Sequence, residues 1–417
     1  MEVSRDRYLE KLIQREWNGS VKIITGIRRC GKSYLLFKLF RNHLISSGVS
    51  DDRIISIALD DYANKHLRSP DVLYEHVVSL RNDIEGPCYL LLDEIQLVDG
   101  FTDVVNGFRH LSEIDIYVTG SNSKFLSSDI LTEFRGRGDE IRVHPLSFSE
   151  YLSAYPDRDV ASVWKEYMVY GGMPELLNRN TEENKANYLK ALVDETYFKD
   201  IRDRNDVRMP SMLENIFDVL CSYTGSLTNP VKIRNTIRTV YGIDLSINTL
   251  DRYLQLMEDS FLFEKVQRYD IKRRKYLGAL YKFYPADVGL RNARSNFRQI
   301  EVSHLMENII YNELRSRGLS VDIGVQESRT MKDGETEYKQ LEIDFVVNRA
   351  DSRWYIQSAY SIPDRDKEEQ EIRPFRTIKD GFQRVLVVGD DVPRHHNDEG
   401  VLIIGIREFL LDGGLFD

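Results

Sequence analysis

Val21-Lys22-Ile23-Ile24-Thr25-Gly26-Ile27-Arg28-Arg29-Cys30-Gly31-Lys32-Ser33-Tyr34-Leu35-Leu36 decides how the amino-terminal part of the chain folds. All but one of its first five residues are β-branched, which reads as a buried strand. From Ser33 to Phe40 the apolar side chains recur at helical spacing. Between the two, Gly26 to Ser33 satisfies G-x-x-x-x-G-K-[ST], a glycine-rich turn closing onto a helix amino terminus. Such a turn aims backbone N–H groups and the positive end of the helix dipole at one point, as phosphate oxygens require. The strand before it and the helix after it make the match specific.

Outward from this segment, the first 150 residues alternate short β-branched runs with helical periodicity. Residues 21–26, 53–59, 88–94, 114–120 and 140–146 read as strands, and Gly31 to His43 as a helix. Strands alternating with helices predict a parallel sheet covered on both faces. The apolar run at 89–96 ends in Asp93-Glu94, a Walker B arrangement. Asp93 and the Ser33 hydroxyl would then hold Mg2+, Lys32 would reach the β- and γ-phosphates of ATP, and Glu94 would polarise the attacking water. Gly26, Ile27, Arg28, Arg29, Cys30 and Gly31, with Tyr34 behind them, would complete the nucleotide cradle. The fourth strand runs into Ser121-Asn122-Ser123, so the Ser121 hydroxyl, or the Asn122 amide after it, is expected to face the γ-phosphate. Arg135 and Arg137 flank Gly136 before the fifth strand. Arg137, ahead of Arg135, reads as a finger that neutralises transition-state charge, either in its own site or in that of a neighbouring copy in a homo-oligomer.

Composition sets the bounds. The 417 residues include 57 Lys and Arg against 67 Asp and Glu, a net charge of −10, which excludes coating of nucleic acid or anionic membrane through bulk charge. At roughly 100–200 residues per domain the length predicts two to four domains. The apolar runs at 88–92 and 401–406 fall far short of the roughly 18 residues a membrane span needs. The charged amino terminus has no secretory pattern, and Cys30, Cys88 and Cys221 are widely spaced, which fits a reducing, cytoplasmic setting.

Beyond the first 150 residues the pattern turns helical to about residue 205, broken by Tyr170-Gly171-Gly172-Met173-Pro174. Residues 206–264 carry three helical segments followed by a β-prone pair, the order of a winged helix. After Asp287 a helix from Ser303 to Arg317 leads into a second α/β region.

Eight runs, at residues 24–36, 89–96, 118–123, 134–152, 170–176, 269–277, 282–292 and 307–314, carry a resemblance in their order and spacing. The chain resembles the prokaryotic AAA+-superfamily P-loop ATPases with a DUF4143 C-terminal region. That resemblance implies an α/β fold with an ASCE-type P-loop core of sheet order 5-1-4-3-2. A P-loop ATPase core at 1–148, a helical lid at 149–205, a winged helix at 206–286 and a restriction-endonuclease-like domain at 287–417 would follow.

A nuclease of that last type needs an acid on one strand and an acid plus lysine on the next. Here Glu307 and Asp344 are present, but Gln357-Ser358-Ala359 stands where Glu-x-Lys is required, so the fold is expected without hydrolysis of nucleic acid. His395 and His396, near Asp390, Asp391 and Asp398, lack the spacing of a zinc site and read as a solvated loop.

Charge is also placed locally. Residues 265–298 hold ten Lys and Arg against Asp270 and Asp287, which is +8 and leaves −18 for the rest. Interleaved tyrosines make this a candidate contact for DNA, with a hairpin paired to acids inside the protein as the alternative. Two readings of function stand: an ATPase that drives or switches its C-terminal domains on DNA, or a nucleotide-switched regulator that grips a protein partner without touching DNA.

Overall fold

The computed structural model describes residues 2–120, 134, 136–204, 207, 209–298, 301–332, 335–389 and 391–416. Ser121, Asn122 and Arg135 lie outside the described residues. The chain forms two compact units where four segments were expected: Met1–Pro145 with Asp259–Phe261, and Leu146–Glu258 with Leu262–Asp417.

In the first unit β1 (Val21–Thr25), β2 (Ile54–Ala58), β3 (Cys88–Asp93), β4 (Ile114–Thr119) and β5 (Gly138–Arg142) form one parallel sheet in the order β2-β3-β4-β1-β5. The five strands fall within or beside the runs expected to form them, and the order is the one the resemblance implied. Every residue of β1 and β3 is buried, because helices cover both faces and leave no polar side to alternate with. Helices Pro70–Asn82 and Phe101–Phe108 contribute Leu73, Val77, Val105 and Phe108 to the apolar cluster that holds Leu90, Leu92 and Val118. A buried ion pair sits on the other face of the sheet. Lys22 on β1 bonds Asp115 on β4, whose other oxygen accepts from the Tyr117 hydroxyl at 2.8 Å and the Trp17 amide at 3.0 Å. Burial pulls the Lys22 ammonium below its ordinary value, and Asp115 opposes the shift.

The second unit carries helices Phe148–Ser153, Val160–Tyr170, Glu182–Ala191, Pro210–Ser222, Pro230–Tyr241, Ile247–Asp259 and Val302–Ser316. Its sheet has eight strands: β6 (Phe263–Asp270), β7 (Lys275–Pro285), β8 (Ser320–Lys332), β9 (Glu335–Arg349), β10 (Ser352–Ala359), β11 (Gln383–Val388), β12 (His395–His396) and β13 (Leu402–Gly405). They run β12-β13-β11-β10-β9-β8-β6-β7. The hairpin expected as a wing is thus the edge of a large sheet, tied in by parallel pairing of Arg268–Asp270 with Ile323–Val325. His395 and His396, expected in a loop, pair with Ile403 and Leu402.

Asp287 joins distant parts of this unit. It caps helix Val288–Arg294, accepting from the Gly289 and Leu290 amides at 2.8 and 3.3 Å, and its other oxygen accepts from the Gly172 amide at 2.6 Å. A Cβ on Gly171 (φ +75°) would stand 2.1 Å from that carboxylate, so only glycine lets the turn approach. Asn292 completes the joint by donating to the Met168 and Val169 carbonyls at the end of helix Val160–Tyr170.

Burial pushes the Asp287 carboxyl up to about 6, against the pull of three amide donors. A carboxyl that holds its proton more tightly folded than unfolded adds stability fully below about pH 4 and loses it as pH rises through about 6. Asp287→Ala orphans three amides and is expected to destabilise the protein by about 2–5 kcal/mol in urea unfolding. Its unfolding free energy should also lack the wild-type decline between about pH 4 and 6.

Candidate functional site

The loop after β1 is shaped by close approach. Gly26 adopts φ +139°, and a Cβ there would meet the Val143 carbonyl oxygen at 2.1 Å, so the first position of the motif admits only glycine. Cys30 is fully buried, with its thiol on the Val143 carbonyl at 3.4 Å. Arg5, 2% exposed, clamps the same turn by donating to the Cys30 carbonyl at 3.1 Å and the His144 carbonyl at 2.7 Å. Ile27 is buried, while Arg28 and Arg29 are exposed. The helix then starts at Lys32–Tyr34, passes through a π-helical stretch, Leu35–Phe40, and continues as Arg41–Ser46. Leu35, Leu36 and Phe40 are fully buried and seat it in the core.

Lys32 is 4% exposed, and its ammonium donates to the Gly26 and Ile27 carbonyls at 3.0 and 3.2 Å. The loop thus curls round its own lysine, holding a positive charge where backbone amides also gather. Tyr34 is half-buried, its hydroxyl lies beside the Val3 backbone, and burial pushes it up.

The acidic pair stands at the carboxyl end of β3. Asp93 is 2% exposed and accepts hydrogen bonds from the Thr119 and Ser33 hydroxyls. Burial raises its carboxyl above the usual range, and those two donors pull the other way. Ser33 and Asp93, expected to share a cation, are therefore side by side. Two oxygen ligands at one point fit Mg2+, which takes one or two protein oxygens plus substrate phosphates.

Glu94 is half-buried in a left-handed conformation, φ +53°. Its amide donates to the Thr119 hydroxyl oxygen at 3.0 Å, and its carboxylate accepts from the Gln96 side chain. Neither Thr119 nor Gln96 was singled out from the sequence. The signal was present, since Thr119 ends the very strand, β4, at whose carboxyl end a hydroxyl was expected two residues later.

Arg137 is exposed, and its carbonyl accepts from the Val21 amide at 2.9 Å. It stands at the amino end of β1 and β5, whereas the loop leaves from the carboxyl end of β1, five residues or about 16 Å of strand away.

A second polar cluster lies in the second unit. Lys282 on β7, 2% exposed, bonds Glu307 and Glu342 at 2.8 Å each and lies 3.8 Å from Asp344. The Tyr284 hydroxyl donates to Glu307 at 2.5 Å, and Asp344 accepts from the Ser358 amide at 2.9 Å. Burial and the nearby Glu307 push the Asp344 carboxyl up to about 8, while Lys282 opposes the shift. Glu307 and Asp344 do come together, as expected, but round an ammonium group. Lys282, counted from the sequence with the basic run, is unavailable to any partner. Among the described residues no group of three or more His, Cys, Asp or Glu is arranged to hold a metal ion.

Other cations of the basic run are paired as well. Arg273 pairs with Asp270 and Glu327, Arg291 with Glu301, and Arg294 with Asp194 and Asp218. Tyr281, Phe283 and Tyr284 are buried.

Residues 18–152 match an AAA domain family, AAA_14, and residues 161–301 match a domain of unknown function, DUF8612. DUF8612 is matched in place of the expected DUF4143, and its residues reach only the first part of the C-terminal domain expected at 287–417. An uncharacterized protein of Haemophilus influenzae is 32% identical over 413 residues, 98% of either chain. An uncharacterized protein of Methanocaldococcus jannaschii is 27% identical over 376 residues, 86% of this chain and 79% of that one. Among solved structures, the Aeropyrum pernix ORC1 protein in complex with DNA covers 71% of this chain and 93% of its own at 12% identity. Its TM-score is 0.33. Among the described residues no helix is long and apolar enough to cross a membrane.

Two replacements test the polar geometry. Thr119→Val strips a donor from Asp93 and an acceptor from the Glu94 amide, and should cost about 1–3 kcal/mol in urea unfolding. Lys282→Met leaves carboxylates buried without their cation and should cost about 3–5 kcal/mol.

Proposed function

The chain belongs to one family with the uncharacterized Haemophilus influenzae protein, and from that premise we propose that it is a Mg2+-dependent ATPase whose turnover switches the position of its second unit. One observation carries the reading: Lys32, Ser33, Asp93 and Thr119 converge at the carboxyl ends of adjacent parallel strands, where α/β sheets take their ligands.

In this reading the amides of Gly26 to Ser33 wrap the phosphates, and Lys32 exchanges its loop carbonyls for phosphate oxygens. A bound Mg2+ would supply positive charge that stabilises the transferring phosphoryl group. Ser33 and Asp93 hold its protein side, with the Thr119 hydroxyl fixing the carboxylate. Glu94 is the base that orients the attacking water, with Gln96 steering its carboxylate. Ser121 or Asn122 senses the γ-phosphate.

Arg137 stands at the opposite end of β1 from its own loop, which supports a finger role in a neighbouring copy. The terminal sheet is read as non-hydrolytic, because Lys282 fills the space among its carboxylates and Gln357-Ser358-Ala359 lacks the lysine. DNA contact along 265–298 keeps support at the exposed Lys265, Lys272, Arg274, Lys275 and Arg298, since Arg273, Lys282, Arg291 and Arg294 are paired with carboxylates inside the unit. The pairing of those cations favours, as the second reading, a switch that acts on a protein partner.

Lys32→Ala should abolish tight ATP binding measured by calorimetry. Glu94→Gln should still bind ATP and lose about 100-fold or more in phosphate release; unchanged turnover would remove the assigned base. Arg137→Ala should be slow alone and regain turnover when mixed with Lys32→Ala, since each supplies what the other lacks. No gain on mixing contradicts a finger acting between copies.

A further inference from the structure

Four positive side chains from three separate segments of the second unit line one open cleft of about 1010 Å3: Lys272 and Arg274 between β6 and β7, Arg353 on β10, and Lys379 before β11. The acids in its wall are already committed. Glu327 pairs with Arg273 at 3.1 Å, and Asp380 accepts from the Tyr355 hydroxyl at 2.7 Å and the Phe382 amide at 3.3 Å. Among the described residues Lys272, Arg274 and Lys379 pair with no carboxylate. Arg353 bonds the Asn348 amide oxygen at 2.8 Å, with its guanidinium 5.6 Å from the rings of both Tyr269 and Phe382.

Elsewhere along the basic run Arg273, Lys282, Arg291 and Arg294 have carboxylate partners, unlike Lys272 and Arg274. Cations gathered round one trough repel one another, and an anion seated among them returns that energy. Phe382 adds a second kind of contact, its ring 38% exposed in the wall of the cleft. Arginine forks suit phosphate oxygens, and an exposed ring beside them takes the face of a base. A ring can receive a base only when that base is free of its duplex neighbours. An open trough also suits a chain passing through better than a small ligand that must be enclosed.

We propose that this cleft binds single-stranded nucleic acid, with phosphates on Lys272, Arg274 and Lys379 and a base against Phe382. Only Lys272 and Arg274 belong to the basic run seen in the sequence; Arg353, Lys379 and Phe382 join them through the fold. The site does not depend on the ATPase reading, so Lys32→Ala should bind the strand as the wild type does.

The test is fluorescence anisotropy of a labelled single-stranded oligonucleotide of about 20 residues on the full chain, between about 50 and 200 mM salt. Replacing Lys272, Arg274 and Lys379 together by Ala should weaken binding at least about tenfold and lower the salt slope by about 2. Phe382→Ala should weaken binding and leave the slope unchanged. Replacing Lys65, Lys165 and Lys199, exposed cations elsewhere, should change neither. The proposal is overturned by no wild-type binding at low salt, by equal loss in the control triple, or by an unchanged affinity in the cleft triple. Duplex DNA or polyglutamate competing as well as the single strand would equally overturn it.

Discussion

The Thr119 hydroxyl holds the candidate site together. It donates to Asp93 and accepts from the Glu94 amide, so one side chain at the end of β4 fixes both acids at the end of β3. Without it a buried carboxylate would lose a donor, and Glu94 would lose the bond that helps hold its left-handed backbone, a conformation that costs about 1–3 kcal/mol. The turn that places Glu94 beside Gln96 follows from this constraint. Ser33 reaches the same carboxylate from the start of the helix that follows β1. On the other side, Arg5 and the Val143 carbonyl press on the loop, and Gly26 is the residue that lets them.

Three buried charged groups in the two units are held in different ways. Lys22 and Asp115 form a single pair inside a parallel sheet, backed by Tyr117 and Trp17. Asp287 has no cation and is held by backbone amides from two segments, which makes it a joint between a glycine turn and a helix start. Lys282 is a lone cation among carboxylates, one of which, Asp344, holds its proton up to about pH 8. Each arrangement ties together residues far apart in sequence, and each loses more by removal of one partner than its net contribution to folding.

The first unit was largely legible in the sequence because its signals are local. A parallel strand buried on both faces is a continuous apolar run, and the loop motif is contiguous, so β1, β3 and the Gly26 to Ser33 turn could be read directly. Asp93 and Glu94 followed from the strand they end. Thr119 did not, because Ser121 beyond the strand end carries the same local signal, and only the parallel register of β3 and β4 brings Thr119 onto Asp93. Arg5 was invisible for a similar reason: its partners, Cys30 and His144, lie 25 and 139 residues away. In the second unit, Lys282 read as one more cation in a basic run. The alternation that turns it inward depends on β7 joining, through β6, a sheet most of whose strands come later in the chain. Strand β8 was missed altogether, its polar residues matched by pairing with β9 rather than by any local pattern.

The account as a whole rests on the convergence of Lys32, Ser33, Asp93 and Glu94 being a place where ATP is cleaved. Release of inorganic phosphate from ATP by the unaltered chain, followed with Mg2+ and again with the metal chelated, addresses this most directly. The account predicts steady release that stops on chelation. ATP left intact in the presence of Mg2+, across protein concentrations that allow copies to meet, would contradict it.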